Sequence, residues 1–196
     1  GDGSSGNPWL TLAKFLASSA SGDTCICAAG SYAYATANLA GRTIQGATGG
    51  SANSTTGWTV FTGSSAGWSI VTGDPVTINN IWFDSCTSST AAIMGYTVNQ
   101  SNTLVVNGCR FTNCIAHGGN SNSIAIGTRN AYEGSGGIYD VTISSCIFDD
   151  MDGSSNNASY YFSMRGANAG SVFKFYNNVL IRRNILTVEP TGGIFG

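Results

Sequence analysis

Val76-Thr77-Ile78-Asn79-Asn80-Ile81-Trp82-Phe83 decides the reading of this chain, because three later segments align with it without gaps. They are Leu104-Val105-Val106-Asn107-Gly108-Cys109-Arg110-Phe111, Val141-Thr142-Ile143-Ser144-Ser145-Cys146-Ile147-Phe148 and the weaker Lys174-Phe175-Tyr176-Asn177-Asn178-Val179-Leu180-Ile181. Their starts are separated by 28, 37 and 33 residues. Each unit reads as a short strand, a two-residue polar turn and a second short strand. The varying intervals belong to loops, where insertions are tolerated.

The alignment makes columns with physical content. Ile78, Val106, Ile143 and Tyr176 precede the turn; Ile81, Cys109, Cys146 and Val179 follow it; Phe83, Phe111, Phe148 and Ile181 lie two residues further on. Positions two apart on a strand share a face, so the last two columns are expected to point into one core. Coils pairing in parallel about 4.8 Å apart turn the Phe column into an aromatic ladder. Asn79, Asn107, Ser144 and Asn177 align at the turn, where polar side chains can bond to the next coil and to local backbone.

Earlier coils are less regular. Thr24-Cys25-Ile26-Cys27 is read as the first strand and Arg42-Thr43-Ile44-Gln45-Gly46 as its successor. Gly57-Trp58-Thr59-Val60-Phe61-Thr62-Gly63 and Gly67-Trp68-Ser69-Ile70-Val71-Thr72-Gly73 echo one another as consecutive strands of one turn. The expected fold is therefore all-β, a right-handed parallel β-helix: a single-stranded solenoid of five to six coils over residues 24–196. Residues 1–23 are expected to form an N-terminal segment with an amphipathic capping helix. Asn7 is placed as its N-cap, Pro8 in its first turn and Gly22 at its end. Trp9, Leu12, Ala13, Leu16 and Ala20 make its apolar face, laid over the open end of the stack. With only Lys14 on the polar face, a membrane-surface helix is the weaker reading.

Composition bounds what such a chain can do. Its 196 residues suffice for one sizeable core. The 27 glycines would suit a linker, but 42% of residues are hydrophobic and nine are Phe, which is enough apolar surface to offset chain entropy. Charged residues make up 9% and the net charge is -2, so nothing tracks a nucleic-acid backbone. No apolar run reaches the roughly 20 residues that span a bilayer, so membrane insertion is not expected. No signal-peptide pattern is visible, and the chain reads as a processed product or part of a larger protein or assembly.

Asp2-Gly3-Ser4-Ser5-Gly6-Asn7-Pro8-Trp9, the helix, and Gly22-Asp23-Thr24 through Gly30-Ser31-Tyr32 resemble the opening of pectate-lyase-like right-handed β-helix proteins. There a capping helix precedes a similar first coil. This opening covers about the first 32 residues, and the repeat extends the resemblance over most of the chain. The superfamily spans pectin-cleaving and alginate-modifying enzymes, phage tail spikes and non-catalytic surface proteins, so the resemblance implies a fold and leaves function open.

Six cysteines admit several readings. Cys109 stacks on Cys146 and Cys86 on Cys114, with Met151 next in that column. These are buried thiols filling the ladder or stacked disulfides. Cys25 and Cys27 share a strand face about 6.6 Å apart, too far for an easy bridge. A zinc site lacks the paired ligand spacing, and the chain has one His.

Hydrolysis of a glycosidic bond needs two opposed carboxyl groups, and Asp84, Asp149 and Asp150 are the acids available to an enzyme. In register, Asp84, Thr112, Asp149 and Arg182 form one column, and Ser85, Asn113, Asp150 and Arg183 the next. The structural reading is that Asp149 pairs with Arg182 and Asp150 with Arg183 across strands. The pectin hydrolases of the superfamily carry Asn-Thr-Asp, Asp-Asp, Gly-His-Gly and Arg-Ile-Lys motifs in that order. Here the first is missing, Asp149-Asp150 follows His117, and Arg182-Arg183 is not the last motif, so His117 reads as a loop residue. A lyase would add calcium on an acid cluster; otherwise no cofactor is expected.

Trp82 lies between inward columns and so points outward, a flat face for a sugar ring or a side chain packed beneath a loop. Trp58 and Trp68 are weaker versions of the same idea. The expected role is a non-enzymatic module of an extracellular, cell-surface or virion protein, such as a tail fibre or spike. Its partners would be a polysaccharide, a cell-surface glycan or other subunits of an assembly. The rivals are a lyase or hydrolase of an acidic polysaccharide and a pure scaffold in a filament or particle.

Overall fold

The computed structural model describes residues 1–47, 50, 54–70, 74–89, 92–96, 102–116, 123–128, 138–149, 159–163 and 170–181. Asp150, Met151, His117, Arg182 and Arg183 lie outside these described residues. The chain visits three sheets in turn. It runs β1 (Thr24–Ile26), β2 (Gly30–Ala33) and β3 (Ala37–Asn38) through the first, second and third sheet. The same order recurs in β4 (Thr43–Gln45), β5 (Thr59–Ser65) and β6 (Trp68–Ile70), then in β7 (Val76–Asn79), β8 (Ile81–Ser88) and β9 (Ala92–Tyr96). Next come β10 (Asn102–Asn107), β11 (Arg110–Thr112) and β13 (Ser123–Thr128), with β12 (Ile115–Ala116) also paired to β8. β14 (Tyr139–Ser144), β15 (Ile147–Asp149) and β16 (Ser159–Ser163) follow, and β17 (Val172–Tyr176) and β18 (Val179–Ile181) join the first two sheets. Among the described residues all three sheets are parallel, and none closes on itself.

The first three repeats pair in the register their alignment gives. Val76 lies beside Leu104 and Leu104 beside Val141, while Phe83, Phe111 and Phe148 are direct partners. Those three rings are fully buried, with centroids 4.8 and 5.0 Å apart and planes within 11° and 3° of parallel. Phe61 and Tyr32 extend the stack beyond the repeat, at 6.3 Å from Phe83 and 5.5 Å from Phe61. Trp68 sits edge-on to Phe61 and Phe83 and is 1% exposed, so it is core and not a sugar platform.

The fourth repeat is one residue out of the expected register. Val141 pairs with Phe173 and Phe148 with Leu180, so its first residue is Phe173 and the preceding interval is 32. A one-residue slip exchanges the two faces of a strand. Here it turns Phe175 onto Phe148, at 6.0 Å, and leaves Tyr176 50% exposed. The backbone gives the physical reason. Asn80, Gly108, Ser145 and Asn177 all adopt left-handed φ values, 54°, 62°, 55° and 56°. Asn tolerates that region well, and a Cβ at Gly108 would meet the Asn80 side-chain oxygen at 2.5 Å. Before the turn the polar column is Gln45, Asn79, Asn107 and Ser144, and Tyr176 takes the place expected of Asn177. Asn79 donates to Gln45 and Ser144 to Asn107, both at 3.0 Å.

The N-terminal helix is shorter than expected, α1 (Leu12–Ser18), and its N-cap is Thr11, whose hydroxyl accepts from the Lys14 N–H at 3.2 Å. Asn7 instead closes a turn, its carbonyl accepting from Asp2 and Gly3. Phe15 is the buried residue of α1, supported by Leu12, Leu16 and Trp9, while Ala13 and Ala20 are exposed. α1 packs on β3. Arg42, from just before β4, donates to the Leu16 and Ser19 carbonyls at 3.4 and 2.6 Å and to the Ser19 hydroxyl at 2.8 Å. It thus brings a cation to the helix C-terminus, where the dipole is negative. Among the described residues no helix is long and apolar enough to cross a membrane.

Candidate functional site

Strand alternation sends Ile81, Phe83, Phe111 and Phe148 inward, and the residues between them to the outer face of the second sheet. Two outer columns result. Val60, Trp82, Arg110 and Ile147 are successive partners in one; Asp84, Thr112, Asp149 and Ile181 in the other. The partner of Asp149 on β18 is thus Ile181 and not the expected Arg182, a consequence of the slipped fourth repeat.

These outer residues bond to one another. The Trp82 indole N–H donates to the Thr112 hydroxyl, which donates to Asp84 Oδ1 at 2.8 Å. The Arg110 guanidinium lies over the Trp82 ring, 4.3 Å from its centroid, and reaches Asp149 Oδ2 at 3.7 Å. Trp58 meets Trp82 edge-on at 6.0 Å. Trp82, Arg110, Thr112 and Asp149 are all buried, at 6%, 8%, 4% and 3% exposure. Trp82 therefore faces outward as expected, but its ring is covered by a cation and another indole. A polar face made this dry behaves as a second, polar core. Among the described residues two donors of Arg110, Nε and Nη1, are buried without a hydrogen-bond partner, which makes the guanidinium the network's least satisfied member.

Asp84 is the half-buried member of the network. It lines a cleft of about 450 Å³ whose walls also include Ser31, Thr56, Gly57, Val60 and Thr62. The cleft is lined by more apolar than polar surface and is neutral apart from one carboxylate, positioned by a hydroxyl. Such a surface can accept hydrogen bonds from ligand hydroxyl groups.

Of the three acids considered for catalysis, Asp150 lies outside the described residues, and Asp84 and Asp149 are not gathered into one open site. Asp84 and Asp149 occupy strands on either side of Thr112, so their Cα atoms are about 9.6 Å apart at ordinary strand spacing. Asp149 is turned to Arg110, away from solvent. The pair does not fit calcium either, because the guanidinium already supplies the positive charge at Asp149. Among the described residues no three His, Cys, Asp or Glu side chains converge.

All six cysteines are free thiols. Cys86 and Cys109 donate to the Phe61 and Ile78 carbonyls, at 3.1 and 3.6 Å, and Cys114 and Cys146 to the Phe83 and Ser144 carbonyls, at 3.4 and 3.2 Å. Burial is the main cause that holds the Cys86 and Cys109 thiols far above the usual range, so they stay protonated and inert.

What the sequence reading missed here is the bonding of Arg110 and Thr112. Both lie inside the aligned repeat, and their signal is a charged or hydroxylated residue alternating with core positions. Comparison with known protein families, with characterised proteins and with solved structures returns no match.

Proposed function

We propose that this chain is a right-handed parallel β-helix acting as a non-enzymatic module of an extracellular, cell-surface or virion protein, and that its Asp84 cleft contacts a glycan. The fold part rests on the repeated order of three parallel sheets and on the aligned Phe and left-handed turn positions. Right-handed crossovers are the rule for parallel strands. The functional part rests on one observation. Trp82, Arg110, Thr112 and Asp149 are buried against one another, and Asp84 is the member that reaches a cleft. A single carboxylate among Ser, Thr and Gly suits binding of sugar hydroxyls. Hydrolysis would need a second, opposed carboxyl group.

Glycan-array binding by the whole chain tests this reading. Retention of a glycan that is lost in Asp84→Asn and in Thr62→Arg, which fills the cleft, is the expected result. Incubation with a panel of acidic polysaccharides tests the rival enzyme. Depolymerisation abolished by Asp149→Asn would overturn the proposal in favour of a lyase or hydrolase. Neither binding nor cleavage would leave the module as a spacer between subunits of an assembly.

A further inference from the structure

Cys25 and Cys27 differ from the other four cysteines in their access to solvent. They are half-buried, and they sit at β1, the terminal strand of the first sheet, where Cys27 has just left the strand. The buried thiols, Cys86 with Cys114 and Cys109 with Cys146, also interact in pairs, but they donate to backbone carbonyls and are closed to solvent. Cys25 and Cys27 point at each other, with Sγ–Sγ 3.6 Å. The spacing that put them too far apart for a bridge concerns their main chain; the side chains lean together across it.

That separation is too long for a sulfur–sulfur bond but close to the edge of a metal–thiolate tetrahedron. With metal–sulfur bonds of about 2.3 Å, two thiolates on one tetrahedral ion lie about 3.8 Å apart. We propose that Cys25 and Cys27 form a two-thiolate chelate for a single thiophilic divalent cation of the zinc and cadmium class. Thiolate donors select such soft ions. On binding, both thiol protons leave to solvent and two metal–water bonds are replaced by two metal–sulfur bonds. The remaining positions keep water, which the half-exposed setting allows. No oxidation or reduction is involved.

Titration of the reduced full-length chain with cadmium, followed by the thiolate-to-cadmium absorbance in the ultraviolet, tests the site. The expected result is saturation at one ion per chain. Cys25→Ser and Cys27→Ser should each weaken binding by more than the roughly 10–100-fold that loss of an outer-shell partner costs. Undiminished binding by the double variant, or no thiolate band in the wild type, overturns the proposal. A readout without variants is alkylation of the wild-type protein with iodoacetamide, located by peptide mass spectrometry. One equivalent of cadmium should protect Cys25 and Cys27 together, and continued alkylation of both would overturn the site.

Discussion

On the inner face of the second sheet, Phe83, Phe111 and Phe148 put one residue type on three successive strands. On its outer face the same strands carry Trp82, Arg110 and Ile147 in one column and Asp84, Thr112 and Asp149 in the next. The inner face is fully buried and the outer one largely so. The inner one is held by area and ring stacking, contacts that tolerate small shifts and repeat from coil to coil. The outer one depends on single atoms: an indole N–H, a hydroxyl, a guanidinium over a ring. The lesson is that a repeated core can be periodic while its covering is particular to each coil.

The largest expected effect comes from breaking the inner face. Phe111→Ala removes a fully buried ring that stacks on both sides, and should destabilise the fold by about 4–5 kcal/mol. Equilibrium denaturation with urea measures it. A loss below about 1 kcal/mol would mean that the ladder is not continuous.

The inner face was legible in the sequence because burial imposes a period of two and selects for bulk. Phe83, Phe111 and Phe148 needed only an alignment. Tyr32 and Phe61 escaped it because their coils have no copy of the eight-residue unit. The outer face was partly legible. The column Asp84, Thr112, Asp149 came from the register, yet its partners did not, since a cation pairing with Asp149 could come from either neighbouring strand. Arg182 was expected, and Arg110 does it. The thiol contact of Cys25 and Cys27 was not legible, because it depends on where β1 ends.

The outer face breaks next. Arg110→Ala takes the cation from buried Asp149 and the cover from Trp82, at a cost of about 3 kcal/mol. Replacing both charges, Arg110→Met with Asp149→Leu, should recover most of that loss, because apolar groups of similar volume need no desolvation. Thermal melts of the two variants side by side separate these outcomes. If the double variant is as unstable as the single one, the outer face gains from the pair itself. Thr112→Val is milder. It keeps the shape but strands the Trp82 N–H and one Asp84 acceptor, and should cost about 1–3 kcal/mol.

The smallest effects sharpen the register of the last coil, where the two faces were exchanged in the alignment. With the start at Phe173, Asn177 holds the left-handed turn position and Asn178 does different work: its carbonyl oxygen accepts from the Cys146 N–H at 2.8 Å, and its amide donates to the Ile143 carbonyl at 3.0 Å. Asn177→Gly should therefore change stability by less than about 1 kcal/mol, since glycine enters the left-handed region freely and gains back in strain what it loses in chain entropy. Asn178→Gly should cost about 1–3 kcal/mol by leaving the Cys146 N–H and the Ile143 carbonyl without that side chain. In the alignment that begins at Lys174, Asn178 would occupy the turn and the tolerance would be reversed. Two glycine substitutions one residue apart, compared by chemical denaturation, thus report which face of the last coil looks inward.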